Sequence, residues 1–253
     1  SILLISFFSV LLFIYSGAIS KQLNATAKRF EKIAGFLSSS VKYLLRFVAL
    51  YSLINLAQSL GVFGIRGDLI AENFYVWVGY FILALWLAER LQMSWLGFET
   101  DKVNHRNIEK FSVLGAVILV AQDYGSELSR LQLIEQQSYE VFTSAITVLA
   151  GIMLWRISAL MKLVVSDDTS SGNLRLKLLG FLRRIIVGVA IISPLIAAIG
   201  YVNAGSAIAV PMVKTLGLLA LIVILQRLTF DLYAAILNKS DEETDALAPV
   251  LIG

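Results

Sequence analysis

Apolar runs about as long as a bilayer is thick recur along the chain, and they decide what it can fold into. Ile2–Ala18, Val41–Phe63, Phe74–Trp95, Val141–Leu163, Phe181–Val202 and Ile208–Ile236 are each near or above the roughly 20 residues that a spanning helix needs. Strands with open edges cannot satisfy their backbone in hydrocarbon, so the runs predict helices. A further run, Phe111–Ala121, has eleven residues and rises about 16 Å, which is half the hydrocarbon thickness. Beyond it Tyr124, Leu128, Leu131 and Ile134 keep helical spacing, so that helix is expected to run on toward Leu131 and project past the membrane surface. Only 15% of the residues are charged against 58% hydrophobic, where soluble domains carry about 25% charge. The expected class is therefore an all-α integral membrane protein, with about seven spanning or partly inserted helices in successive hairpins.

Lys and Arg set the expected orientation, because they stay on the cytoplasmic side during insertion. Eighteen of the 21 fall between or beside runs on one side, leaving only Arg66, Arg130 and Lys214 for the other. The N-terminus is then outside and the C-terminus cytoplasmic. The net charge of +3 reports this asymmetry, and nucleic-acid binding needs no place in the account. Trp77 and Tyr201 are expected near the outer interface, and Trp95, Trp155 and Tyr233 near the inner one.

The segments expected on this basis are a first transmembrane helix over 1–20, a basic amphipathic helix over 21–40 and a transmembrane hairpin over 41–98. A hairpin over 107–165 holds the short fourth helix, 166–173 is a linker, and 174–239 is a closing hairpin. An acidic linker and the start of another segment occupy 240–253, and the chain reads as an internal piece of a longer polypeptide. "KQLNATAKRFEKIAGFL" sets Leu23, Phe30, Ile33, Phe36 and Leu37 beside Lys28, Arg29 and Lys32, which suits a helix lying on the inner leaflet. The alternative is a helix packed on a cytoplasmic part of the same protein.

Candidate functional residues are few. There is no Cys and one His, which removes thiolate chemistry, disulfides and Cys/His metal sites. No phosphate loop, nucleophile motif or paired catalytic carboxylates are present, so no enzyme and no cofactor are expected. His105 falls in a charged loop and reads as solvated. Asn55 and Gln58 are expected to bond another helix, and Arg227 and Asp231, four apart, to pair on one helix face. Asp123 reads as interfacial, and Lys214 as a residue near the outer end of its helix that snorkels outward. Arg183, Arg184, Lys28, Arg29 and Lys32 are the candidates for lipid headgroup contact. In "AAIGYVNAGSAIAVP" the residues Gly200, Asn203 and Gly205 suit a tight outer turn, with Pro194 a kink and Pro211 the first turn of the next helix.

The order of "KQLNATAKRFEKIAGFLSSSVKYLLRF", "ALWLAERL", "ITVLAGIMLWRISALMKLV" and the hairpin "RRIIVGVAIISPLIAAIGYVNAGSAIAVPMVKTLGLLALIVILQRLTFDLYAAIL" resembles the membrane extension of large members of the small-conductance mechanosensitive (MscS-like) channel family. The resemblance lies in the pattern of elements. It implies a multi-pass protein of the bacterial inner membrane and a homo-oligomer, a heptamer by analogy, whose peripheral helices contact lipid and sense tension. The family's Gly/Ala pore helix and β-domain are absent here, so no pore-lining residue carries over. A secondary transporter, or an anchor without transport, are the alternatives.

Overall fold

The computed structural model describes residues 31–92, 105–166 and 174–237. Among them every regular element is an α-helix. In chain order these are α1 (Glu31–Ser59), α2 (Ile65–Ala71), α3 (Phe74–Gln92), α4 (His105–Arg130), α5 (Gln136–Ser166), α6 (Leu174–Ala198) and α7 (Val202–Leu237). Five stretches are long and apolar enough to cross a membrane: Gly35–Ser59, Gly67–Leu91, Gln136–Lys162, Leu178–Ala198 and Val202–Tyr233. The expected first helix, Lys28 and Arg29, the linker after Ser166 and the acidic 240–253 stretch lie outside the described residues.

Several boundaries differ from the sequence expectation. No break separates an amphipathic lead-in from the span that follows, because α1 runs unbroken from Glu31 to Ser59. Ser38, Ser39 and Ser40 are tolerated in the helix: Ser40 Oγ donates back to Phe36 O at 2.9 Å, and Ser38 and Ser39 are buried. His105 opens α4 instead of lying in a loop. The short fourth run extends to Arg130, as its polar continuation predicts.

Three helices end in the same way. The N–H of Val62 bonds Ala57 O while that of Gly61 bonds Gln58 O; Leu133 and Gln132 repeat the pattern on Leu128 and Ser129, and Tyr201 and Gly200 on Ile196 and Ala197. This is a Schellman termination, which needs left-handed backbone at the residue just past the helix. Gly61 (φ 65), Gln132 (φ 54) and Gly200 (φ 105) supply it.

The chain forms two compact units, Ser1–Trp86 with Ala220–Gly253, and Leu87–Leu219. In the first, α1 and α3 run antiparallel behind an aromatic seam. Phe36 meets Trp86 edge-on at 5.7 Å, Trp86 Nε1 donates to Ser40 Oγ, Phe47 lies over Gly79, and Tyr51 meets Tyr75 at 6.4 Å. Trp77 is buried in this unit.

In the second unit α4, α5, α6 and the first part of α7 share one core: Ile118, Ile146, Ala150, Met153, Leu154, Ile186, Ala190, Ala209 and Val213. Glycines set the helix spacing. A Cβ at Gly151 would stand 2.5 Å from Pro194 Cγ and 2.9 Å from Ala190 O, and one at Gly205 2.6 Å from Ser193 O. Both neighbours of α6 thus approach it at backbone distance around its proline. Pro194 has no N–H for the carbonyl of Ala190, and that carbonyl is the one facing Gly151.

Candidate functional site: a polar layer and a basic girdle

One level of the second unit can serve as a ruler. A Cβ at Gly115 of α4 would be 3.7 Å from Met153 of α5 and 3.7 Å from Val213 of α7. Ile186 of α6 belongs to the same core, and lies fourteen residues before Gly200 where Val213 lies thirteen after it. Other residues can be placed from this level at about 1.5 Å per residue.

Six or seven residues toward the 199–201 turn, about 9–10 Å away, every helix carries a polar side chain: Gln122 on α4, Thr147 on α5, Ser193 on α6 and Ser206 on α7. Each continues the core stripe of its own helix, as in Gly115–Ile118–Gln122 and Ile186–Ala190–Ser193. Thr143 lies one turn further along α5. Thr143, Thr147 and Ser193 are 0% exposed and Ser206 is 8% exposed. Thr147 Oγ1 donates to Thr143 O and Ser206 Oγ to Asn203 O, whereas Gln122 Oε1, Thr143 Oγ1 and Ser193 Oγ are buried without a hydrogen bond. The i, i+4 spacing of Thr143 and Thr147 on a core face was the sequence signal for this layer. It is easily passed over when only charged and amide side chains are weighed.

Within about 9 Å of that level in the other direction, the charged residues described on α4 to α7 are basic except Glu109. Lys214 is one residue from the reference level, Arg184 two, Arg183 and Arg156 three, and Lys110 five, which places all five within about 2–8 Å of it. Arg184, Arg156, Lys110 and Lys214 are exposed, and Arg183 is half-buried with a buried Nε that makes no hydrogen bond. Glu109 is the carboxylate near this level, while Asp123, Glu127, Glu135 and Glu140 lie toward the turn end.

The remaining candidates divide. Arg227 Nε lies 3.5 Å from Asp231 Oδ1, the pair expected on one face of one helix. Asn55 Nδ2 donates to Tyr51 O at 2.9 Å within α1, on an exposed face. Gln58 is half-buried in the last turn of α1, where its backbone carbonyl accepts from Gly61. Lys32 lies in α1.

Of the three turn residues, Gly200 holds the turn, but Asn203 and Gly205 lie inside α7. Gly205 serves close approach and not left-handed backbone, because the reversal is completed in three residues, Ile199–Tyr201. The same early start puts Pro211 in the interior of α7 and moves Lys214 twelve residues, about 18 Å, down the helix instead of near its outer end.

These elements and surfaces define a class, a multi-pass α-helical membrane protein. Compared with known proteins, the chain matches no family model, no curated protein and no solved structure.

Proposed function

We propose that this chain is the peripheral, lipid-contacting part of an oligomeric mechanosensitive channel of the bacterial inner membrane, which biases a central pore toward opening under tension. The observation that carries the reading is where the charge lies. Among the described residues of α4 to α7 no buried side chain is ionisable, while large apolar residues such as Phe181, Ile192, Leu195 and Leu218 are exposed. Such a body exchanges free energy with lipid. Tension shifts an equilibrium only through a difference between states, here in membrane area and in lipid contact. By resemblance the unit's copies, seven of them, surround a pore built from sequence outside this chain.

Patch-clamp recording of the full-length protein in liposomes under suction tests the reading. Stepwise currents that appear above a threshold suction support it, and silent patches containing verified protein reject it. The polar layer favours a second reading, a secondary transporter, because uncharged oxygens inside a helix bundle can also line a solute path. Ion-driven uptake that fails in Ser193→Ala, with no tension response, selects that reading instead.

A further inference from the structure

The helix contacts beside the polar layer are tighter than those at the reference level. There, a Cβ on Gly115 would meet Met153 and Val213 at an ordinary 3.7 Å. Toward the turn end a Cβ on Gly125 would stand 2.6 Å from Phe142 Cε1, one on Gly151 2.5 Å from Pro194 Cγ, and one on Gly205 2.6 Å from Ser193 O. These are the α4–α5, α5–α6 and α6–α7 contacts in turn. Each lies within about one helical turn of a layer residue: Gly125 follows Gln122, Phe142 adjoins Thr143, Gly151 follows Thr147, and Gly205 adjoins Ser206 and meets Ser193 itself.

Contacts of this kind bring backbones close enough to enclose the side chains beside them. Those side chains are polar. Gln122 Oε1, Thr143 Oγ1 and Ser193 Oγ are buried without a hydrogen bond, so closing the helices takes these atoms from water and gives them no bond in exchange. Packing therefore favours the closed unit, and hydration of the layer favours a wider one. The opposition is confined to one end, because the core beyond the layer, with Leu154, Ile186 and Val213, is apolar and gains nothing from water. On α5 a polar face leads in from the turn end. Gln136, Glu140, Thr143 and Thr147 follow one another at helical spacing, from exposed Gln136 to fully buried Thr147.

We propose that the polar layer is a hydration site held shut by the glycine contacts. When the four helices loosen, water enters along this face of α5, bonds Gln122, Thr143 and Ser193, and stabilises a wider arrangement of the unit. Packed interfaces switch between discrete arrangements instead of deforming continuously, and tension favours the one with the larger in-plane area. The inference deepens the proposed function and rests on it for the lipid and tension setting, but it needs no pore.

This chain has no cysteine, so Ser206→Cys, at a position 8% exposed, introduces a single thiol into it. The full-length protein, with any cysteine outside this chain replaced by serine, is reconstituted in liposomes. Reaction with a small hydrophilic methanethiosulfonate reagent is timed at rest and under osmotic swelling, with a tension-sensitive dye verifying the load. Reaction is expected to be slow at rest and about tenfold or more faster under swelling. Gln132→Cys, exposed at the α4–α5 turn, is expected to react equally fast in both conditions. Adding Thr143→Val/Ser193→Ala to Ser206→Cys is expected to cut the acceleration by about fivefold or more, because the wider arrangement then gains less from water.

No acceleration overturns the proposal, and so does a thiol that already reacts at rest as fast as the one in Gln132→Cys. An acceleration that Thr143→Val/Ser193→Ala leaves unchanged overturns the role of the layer. Gly151→Ala, which wedges the α5–α6 contact, is expected to raise the resting rate, and an unchanged rate would mean that this contact does not hold the layer shut. Because the first comparison keeps every glycine, it does not depend on that variant folding. Currents under suction without accelerated labelling would leave the proposed function in place and remove this inference alone, and accelerated labelling with silent patches would do the reverse.

Discussion

Gln132 sits in left-handed backbone (φ 54) at a position where the other two Schellman terminations use glycine. A side chain there opposes the conformation by roughly 1 kcal/mol, so Gln132→Gly is expected to raise stability by about 0.5–1 kcal/mol. Reversible unfolding in mixed micelles measures the change, and a loss of stability would show that the Gln side chain holds the α4–α5 turn by other means. The buried hydroxyls lead to an argument of the opposite kind. Thr143 Oγ1 and Ser193 Oγ are enclosed without a hydrogen bond, and an unsatisfied buried group costs about 1–3 kcal/mol. Thr143→Val and Ser193→Ala remove that cost at nearly constant shape, so each is expected to stabilise the protein by about 1 kcal/mol in the same assay. Destabilisation by either would mean that its hydroxyl has a partner in the bilayer, for instance a bound water.

Between elements, α6 is gripped from both sides by absence of side chain. Gly151 and Gly205 leave no space for a methyl group, because the atoms it would meet include backbone oxygens of Ala190 and Ser193. Overpacking of this kind costs about 1–3 kcal/mol, so Gly151→Ala and Gly205→Ala are each expected to destabilise by that amount. Gly188→Ala on α6, with nothing within 4 Å of the added carbon, is expected to be neutral or slightly stabilising through helix propensity. Equal effects at all three positions would show that the close contacts do not hold the helices. The contrast also marks what was legible in the sequence. Run length and the polar continuation gave the helices, and the i, i+4 spacing gave Arg227–Asp231. Gly205 read as a turn residue because glycine suits both a reversal and a close approach, and only the partner helix distinguishes them. The girdle was half visible, with Arg183 and Arg184 recognised and Lys214 assigned elsewhere, since depth depends on where α7 starts and on its register against α6. A string of residues states neither.

At the scale of the whole molecule, the charge asymmetry makes one further commitment. Eighteen of the 21 basic residues, and nineteen with Lys214 where α7 places it, fall on one side when the helices are threaded alternately through the bilayer, and such residues resist translocation. The turns at Gly61, Gln132 and Gly200 should then face outward together, with the far ends of α5 and α7 in the cytoplasm. The structure makes the test practical, because Val62, Gln132 and Tyr201 are exposed at those turns, Lys162 is exposed near the far end of α5, and no native cysteine competes. In intact cells a membrane-impermeant maleimide is expected to label Val62→Cys, Gln132→Cys and Tyr201→Cys. Lys162→Cys should react only after permeabilisation. The inverse pattern would reverse the orientation and place the girdle in the outer half of the bilayer. A split among the three turns would be more informative still: the α4–α5 hairpin would then not cross, and the uncharged 111–122 stretch, about 18 Å long, would be inserted from one side only.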